Sequence, residues 1–221
     1  MPLTNRVALI TGAGGGIGRA VSCRYAAAGA TCILLGQHQP PLNETYDQIT
    51  ADGGQASLVV LDLEKELHVV PQLVASLHER FGRLDILVNN AAEFGLMTPL
   101  ATYEPTLWEK VLRINLTAPF FLTRELLPLL QRSDRAFVIN VSCDIAHQPQ
   151  GYWGAYGISK AALSAMSRIW AQELTHTRVQ IHDFNVAATA TRLRKKAYPA
   201  EDITTLLSPE QVASSFLDLV R

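Results

Sequence analysis

Six short runs rich in Val, Ile and Leu recur along this chain, and a longer stretch with helical spacing follows most of them. The runs are Val7–Thr11, Thr31–Leu35, Ser57–Leu61, Leu84–Asn89, Ala136–Val141 and Val179–Phe184. Each is nearly continuous in apolar residues, as required of strands covered on both faces of a parallel sheet. The intervening helical patterns fall at Ile17–Ala28, Pro41–Ala51, Leu67–Phe81, Thr106–Leu130 and Ala155–Thr175, and a last one spans Pro209–Val220. Strand–helix alternation of this kind predicts a three-layer α/β/α fold, a doubly wound parallel sheet with right-handed crossovers. With 221 residues and 48% hydrophobic content, the chain has material for one domain spanning residues 1–221.

The turn after the first run reads Thr11-Gly12-Ala13-Gly14-Gly15-Gly16-Ile17-Gly18. Glycines let a backbone turn tightly and approach a ligand closely. The helix that follows offers free N–H groups and a positive dipole end to a pyrophosphate. The spacing GxxxGxG differs from the usual dinucleotide fingerprint, but its place between strand and helix points to the same use.

Tyr156 and Lys160 stand four residues apart in a helical pattern, so they share one face. A cation beside a phenol favours the phenolate and lowers its pKa, which fits the phenol for proton transfer. Taken alone, the pair more often describes a surface Tyr stacked on a Lys stem.

Other classes are disfavoured. A net charge of −1 provides no basic field for nucleic acid. No apolar run reaches membrane-spanning length, and Met1–Arg6 has no signal-like apolar stretch. Cys23, Cys32 and Cys143 are scattered and form no CxxC, so no disulfide framework or metal site is expected and a cytoplasmic setting fits.

TGxxxGIG at Thr11–Gly18 and YxxxK at Tyr156–Lys160 together resemble the short-chain dehydrogenase/reductase family. The resemblance covers residues 5 to about 195, with a narrower similarity to a bacterial subgroup of uncharacterised oxidoreductases. It implies a six-stranded Rossmann fold ordered 3-2-1-4-5-6 and an NADP or NAD cofactor. Cofactor contacts are then expected from Gly12, Gly14, Gly16, Ile17, Gly18, Gln37, Asp62, Leu63, Asn89, Ala91, Tyr156 and Lys160. Catalysis would fall to Asn115, Ser142, Tyr156 and Lys160: Tyr156 exchanges the proton, Lys160 tunes it, Ser142 holds the carbonyl oxygen and Asn115 positions a relay water. The family's lid corresponds to about 188–207.

The chain departs from the family pattern at four places. Leu35-Gly36-Gln37-His38 carries neither the Asp of NAD-preferring members nor the Arg of many NADP-preferring ones; the missing carboxylate favours NADP(H). Counting thirteen residues back from Tyr156 lands on Cys143, with Ser142 beside it; one extra loop residue would bring Ser142 into register. Ala92 and Ala187-Ala188 replace glycine and Pro-Gly near the nicotinamide. The family's seventh strand is not found, so a homodimer through the two long helices is expected. Arg192, Arg194, Lys195 and Lys196 are either an anion-attracting cluster or a solvated face. The expected activity is hydride transfer between a nicotinamide and a small carbonyl or alcohol substrate; the competing reading is a non-catalytic dinucleotide-binding sensor.

Overall fold

The computed structural model describes residues 1–221. Its six strands are β1 (Val7–Thr11), β2 (Thr31–Gly36), β3 (Gln55–Val60), β4 (Ile86–Asn89), β5 (Ala136–Ser142) and β6 (Val179–Asn185). They form one parallel sheet, as the alternation predicts, in the order β3-β2-β1-β4-β5-β6 that the family resemblance implies.

Successive strand residues point to opposite faces, and the two cores divide accordingly. Ala8, Ile10, Cys32, Leu34, Ile86 and Val88 face one layer. There they meet α1 (Gly16–Ala27), α2 (Gln39–Ala51) and α8 (Pro209–Leu219). Val7, Leu9, Ile33, Leu35 and Leu87 face the other layer, against α3 (Val70–Phe81) and α5 (Ala118–Leu130). Helix α8 begins at Ser208, which forms a reciprocal capping box with Gln211. It is tied to α1 by the Tyr25 hydroxyl, which donates to the Phe216 carbonyl at 3.0 Å.

Two expected helices are interrupted. The stretch Leu67–Phe81 opens with a tight turn at Leu67–Val69 before α3, because Pro71 suits a helix's first turn and not its interior. The stretch Thr106–Leu130 is α4 (Pro105–Leu112), a wide π turn at Arg113–Thr117, and then α5. Pro119 has no N–H to give to the carbonyl of Asn115 four residues back, so the α ladder cannot run through this point.

Helix α6 (Gly154–Glu173) carries Tyr156 and Lys160 past the C-terminal end of β5. The lid region contains a short helix, α7 (Arg192–Ala197). Its base is closed where Thr189 pairs with Leu207 and the Ala190 N–H donates to the Leu207 carbonyl at 2.9 Å. The carboxyl ends of β1, β4, β5 and β6, together with this lid, surround a single cleft, the usual ligand position in open α/β sheets.

Candidate active site

The cleft has a volume of ≈ 710 Å³. One end is the glycine loop. Gly12 has φ +68, and a Cβ on Gly18 would sit 2.2 Å from the Gly12 carbonyl oxygen, so neither position accepts a side chain. Gly14 packs against Pro41, while a Cβ on Gly15 would meet nothing within 4 Å. No side chain caps the start of α1. Its free N–H groups and the open space over Gly15 form a cradle suited to a pyrophosphate. Arg19 also lines this end, but its guanidinium is occupied by the Gly14 carbonyl at 2.8 Å and Glu44 at 2.6 Å.

The run Asn89-Asn90-Ala91-Ala92 divides: of its two expected cofactor contacts, Ala91 lines the cleft and Asn89 does not. Asn89 is buried and points into the protein, donating to Asn140 Oδ1 at 2.8 Å, and Asn140 donates in turn to Ser167. Asn90, Ala91 and Ala92 line the cleft instead. Asn90 Nδ2 donates to the Thr11 carbonyl, and the Asn90 and Ala91 N–H groups both donate to Thr11 Oγ1, each at 2.9 Å. Asn90 therefore pins the glycine loop, while Asn89, expected to contact the cofactor, does not line the cleft. Outside the cleft lining, Gln37 Nε2 donates to Asp62 Oδ2 at 3.0 Å, joining two of the residues expected to contact the cofactor. Leu63 is buried in the sheet core and Ile17 packs on the opposite one.

At the other end Tyr156 and Lys160 are both buried. Lys160 Nζ donates to the Val141 carbonyl at 2.7 Å and lies 5.8 Å from the centre of the Tyr156 ring. Burial pulls the ammonium below the usual lysine range, and the nearby Cys143 and Asp183 only partly offset this. For Tyr156 burial again dominates: it pushes the phenol well above its ordinary value, and Cys143 adds to the rise. Burial, with Cys143 beside the phenol, thus sets the direction of the Tyr156 shift, and the Lys160 ammonium, which donates to Val141 and lies 5.8 Å from the ring centre, does not offset it.

The thiol and hydroxyl at the end of β5 also exchange their expected places. Cys143 Sγ lies 3.8 Å from Tyr156 Oη. Ser142 is in register with Asn185 as the last residue of β5, is buried, and its Oγ has no hydrogen-bond partner in the protein. The backbone stays extended at Cys143 (φ −158, ψ 168), so the two neighbouring side chains diverge and only the thiol is turned to the tyrosine.

Asn115 sits in the π turn, fully buried. Its Oδ1 accepts from the Glu93 N–H at 2.8 Å, and its Nδ2 donates to the Glu93 carbonyl and to Ser159 Oγ, both at 2.9 Å. It clamps the β4–α4 loop to α6 beside Lys160 and makes no hydrogen bond to Tyr156 or Lys160. Glu93 in turn holds the lid, with Lys196 Nζ 3.2 Å from its Oε1. Phe94, Glu93 and Tyr198 were missed from sequence; only the run following Asn89 hinted at the first two. No group of three or more His, Cys, Asp or Glu is placed to hold a metal, and no helix is long and apolar enough to cross a membrane.

Residues 6–202 match the model of the short chain dehydrogenase family. The chain belongs to that family. Among its relatives is an uncharacterised oxidoreductase of Escherichia coli, YciK, 34% identical over 99% of this chain and 87% of the relative. A short chain dehydrogenase structure from Salmonella enterica superposes with a TM-score of 0.96 at 33% identity, covering 99% of this chain and 91% of the other. A structure from Escherichia coli, in complex with NADPH, gives 0.95 at 34% identity, covering 99% and 91%. Family membership makes this chain an oxidoreductase of the short-chain dehydrogenase/reductase type, and its six-stranded parallel sheet is the Rossmann-like fold expected of one.

Proposed function

We propose that this protein uses NADP(H) in preference to NAD(H) to interconvert a carbonyl and an alcohol, with Tyr156 as the proton donor and acceptor. The observation that carries the reading is a buried phenol, a buried ammonium and an uncapped glycine cradle opening on one cleft. The glycine loop and the Gly15 opening fit a dinucleotide, which when bound would supply or accept the hydride. Position 36 carries no carboxylate to repel a 2′-phosphate, and His38 is exposed beside it. NADPH in a structural relative supports the same preference.

In the reducing direction Tyr156 Oη donates its proton to the nascent alkoxide. Burial keeps the proton on the phenol in this direction, although it makes the phenol a weaker acid. Cys143, and not Ser142, faces the carbonyl position, where a thiol offers only a weak hydrogen bond. Lys160 would bond the nicotinamide ribose and, through the Val141 carbonyl, stay fixed beneath the phenol. Asn115 acts by positioning: its side chain holds the Glu93 backbone and Ser159 together beside Lys160, where a relay water would link the ammonium to solvent. Exposed Phe120, Ile158 and Ile169 on α5 and α6 suit a homodimer in a cytoplasmic setting.

The test is NADPH and NADH consumption against a panel of aldehydes and ketones, with dissociation constants for both cofactors. Turnover with NADPH, and NADPH binding tighter by about tenfold, which is about 1.4 kcal/mol, is expected. Binding without turnover on any carbonyl would instead identify a sensor.

A further inference from the structure

We infer that the substrate is an uncharged carbonyl compound carrying a flat apolar ring, seated between Trp153, Ile145 and the lid residues Leu193 and Tyr198. This rests on the function proposed above and names the substrate class of the same site.

The first observation is a third apolar cluster, separate from the two sheet cores. Phe94, Ile145, Trp153, Tyr156 and Ala197 are buried in it, with Cys143, Leu193 and Tyr198 packed on its edge. These residues come from four segments: the loop after β4, the turn after β5, the start of α6, and the lid. Trp153 meets Phe94 edge-on at 5.7 Å and tilts against Tyr198 at 5.7 Å, while Phe94 lies 5.3 Å from Tyr156. Phe94 backs the cluster; Ile145, Trp153, Tyr156, Leu193 and Tyr198 present it to the cleft. Edge-on and tilted ring contacts of this kind accept a further ring.

The second observation is where the charges go. Arg194 is held by Glu201 through two hydrogen bonds, at 2.6 and 2.5 Å, and stacks over Tyr198 at 4.0 Å. Lys196 pairs with Glu93. Asp144 accepts from Asn185 at 2.8 Å. Lys195 is exposed and does not line the cleft. Arg192 alone among the lid cations lines the cleft without a protein partner, and it belongs to the other end: Thr191 beside it lies 3.3 Å from where a Gly16 Cβ would stand. Its charge is available to the dinucleotide phosphates rather than to the substrate. Lys160 also lines the cleft, but its ammonium is buried beneath the phenol, donates to the Val141 carbonyl at 2.7 Å and is assigned above to the nicotinamide ribose, so the other polar groups on this side are the Cys143 thiol, the Ser142 hydroxyl and the amides of Gln148 and Gln150. A carboxylate or phosphate brought to the ring site would lose water without gaining a cation other than Lys160, which the Val141 carbonyl and the cofactor ribose engage, and that loss is costly. The four basic residues of the lid therefore do not make an anion site around the tyrosine.

The test uses three methyl ketones: acetophenone, para-acetylbenzoate and methyl hexyl ketone, which has the carbon count of acetophenone without the ring. Their dissociation constants are measured by calorimetry on the complex with NADP⁺, which cannot deliver hydride, and their turnover is measured with NADPH. Acetophenone should bind more tightly than para-acetylbenzoate by about tenfold or more, since the latter must bury an unpaired charge. It should also bind more tightly than methyl hexyl ketone, and Tyr198→Ala should erase that second preference while leaving the NADP⁺ dissociation constant unchanged. Equal or tighter binding of para-acetylbenzoate overturns the exclusion of charge. Equal binding of methyl hexyl ketone, or a ring preference untouched by Tyr198→Ala, overturns the ring site, as does failure of all three to bind. Failure of the proposed function looks different: no hydride reaches any carbonyl, while the NADP⁺ complex still ranks the three ketones.

Discussion

The two ends of the sheet each bury a charged cluster, and the clusters differ in how they are completed. At the amino-terminal edge Asp85 is 1% exposed. It accepts from the Val7 N–H at 2.7 Å, from Ser133 Oγ at 2.6 Å, and from Arg6 and Arg83 at 3.3 Å. Every oxygen finds a donor within the protein, and the groups tie the starts of β1 and β4 to the turn before β5. At the carboxyl-terminal edge Lys160 has one carbonyl, Tyr156 has a thiol at 3.8 Å, and Ser142 Oγ and Asp183 Oδ1 have no partner. A satisfied buried cluster works as a clamp. One left incomplete beside an open cleft is where a ligand's own polar groups can complete the set.

The largest expected effect separates the two ends outright. Tyr156→Phe should cut turnover by about 10²–10⁴-fold. Its melting temperature and cofactor affinity should stay near those of the parent, because only the oxygen is lost. In the reducing direction the native rate should hold through pH 10, the ordinary phenol value, and decline only above it, since the raised pKa keeps the proton in place. A decline beginning below pH 10 would show that bound cofactor brings Lys160 back to the phenol. A Tyr156→Phe protein with native turnover would break the comparison.

Asp85→Ala should do the converse. It strands the Val7 N–H and leaves Arg6 and Arg83 without their shared acceptor, at a cost of about 2–4 kcal/mol. Both arginines are partly exposed, which limits the loss. Urea unfolding should record this, while kcat per folded molecule is unchanged.

The next contrast lies within the active-site end. Cys143→Ser places a stronger donor at the carbonyl position and should raise kcat, whereas Cys143→Ala should lower it by about tenfold, less than a full hydroxyl donor would cost. Ser142→Ala removes a hydroxyl that has no partner, so stability should hold or rise slightly and turnover should change little. A reversed ranking of the two alanine variants in steady-state assays would restore Ser142 as the carbonyl-holding residue.

The smallest effect concerns the lid. Burial pulls Glu93 upward, but the Gly95 N–H and Lys196 together outweigh it and hold the carboxyl below the usual 4.5. Its folded pKa is depressed, so the latch contributes fully above pH 4.5 and is lost as pH falls through the folded value. The pair is partly exposed and should be worth under about 1 kcal/mol. Glu93→Gln should flatten the acid limb of a melting-temperature profile and leave neutral pH nearly unaffected.

Much of this was legible in the residues. Apolar runs with two-face burial, helical spacing between them, and Gly12–Gly18 at the first turn determine the doubly wound parallel architecture and the place of the cleft, because each depends on a local pattern, while the strand order follows from the family resemblance that the motifs carry. Tyr156 and Lys160 share a face by helix period alone. What a side chain points at was decided by tertiary structure. Whether Ser142 or Cys143 faces the tyrosine depends on how far the pleat of β5 continues, and Asn89 and Asn90 divide in the same way at β4. The direction of the Tyr156 pKa was hidden for a different reason. Desolvation sums over Phe94, Trp153 and the lid, which are distant in sequence, while the cation that would oppose it is visible four residues away. The lid's charges also read as a basic run until Glu93 and Glu201 are folded against them; their partners, and hence the kind of substrate they leave room for, exist only in three dimensions.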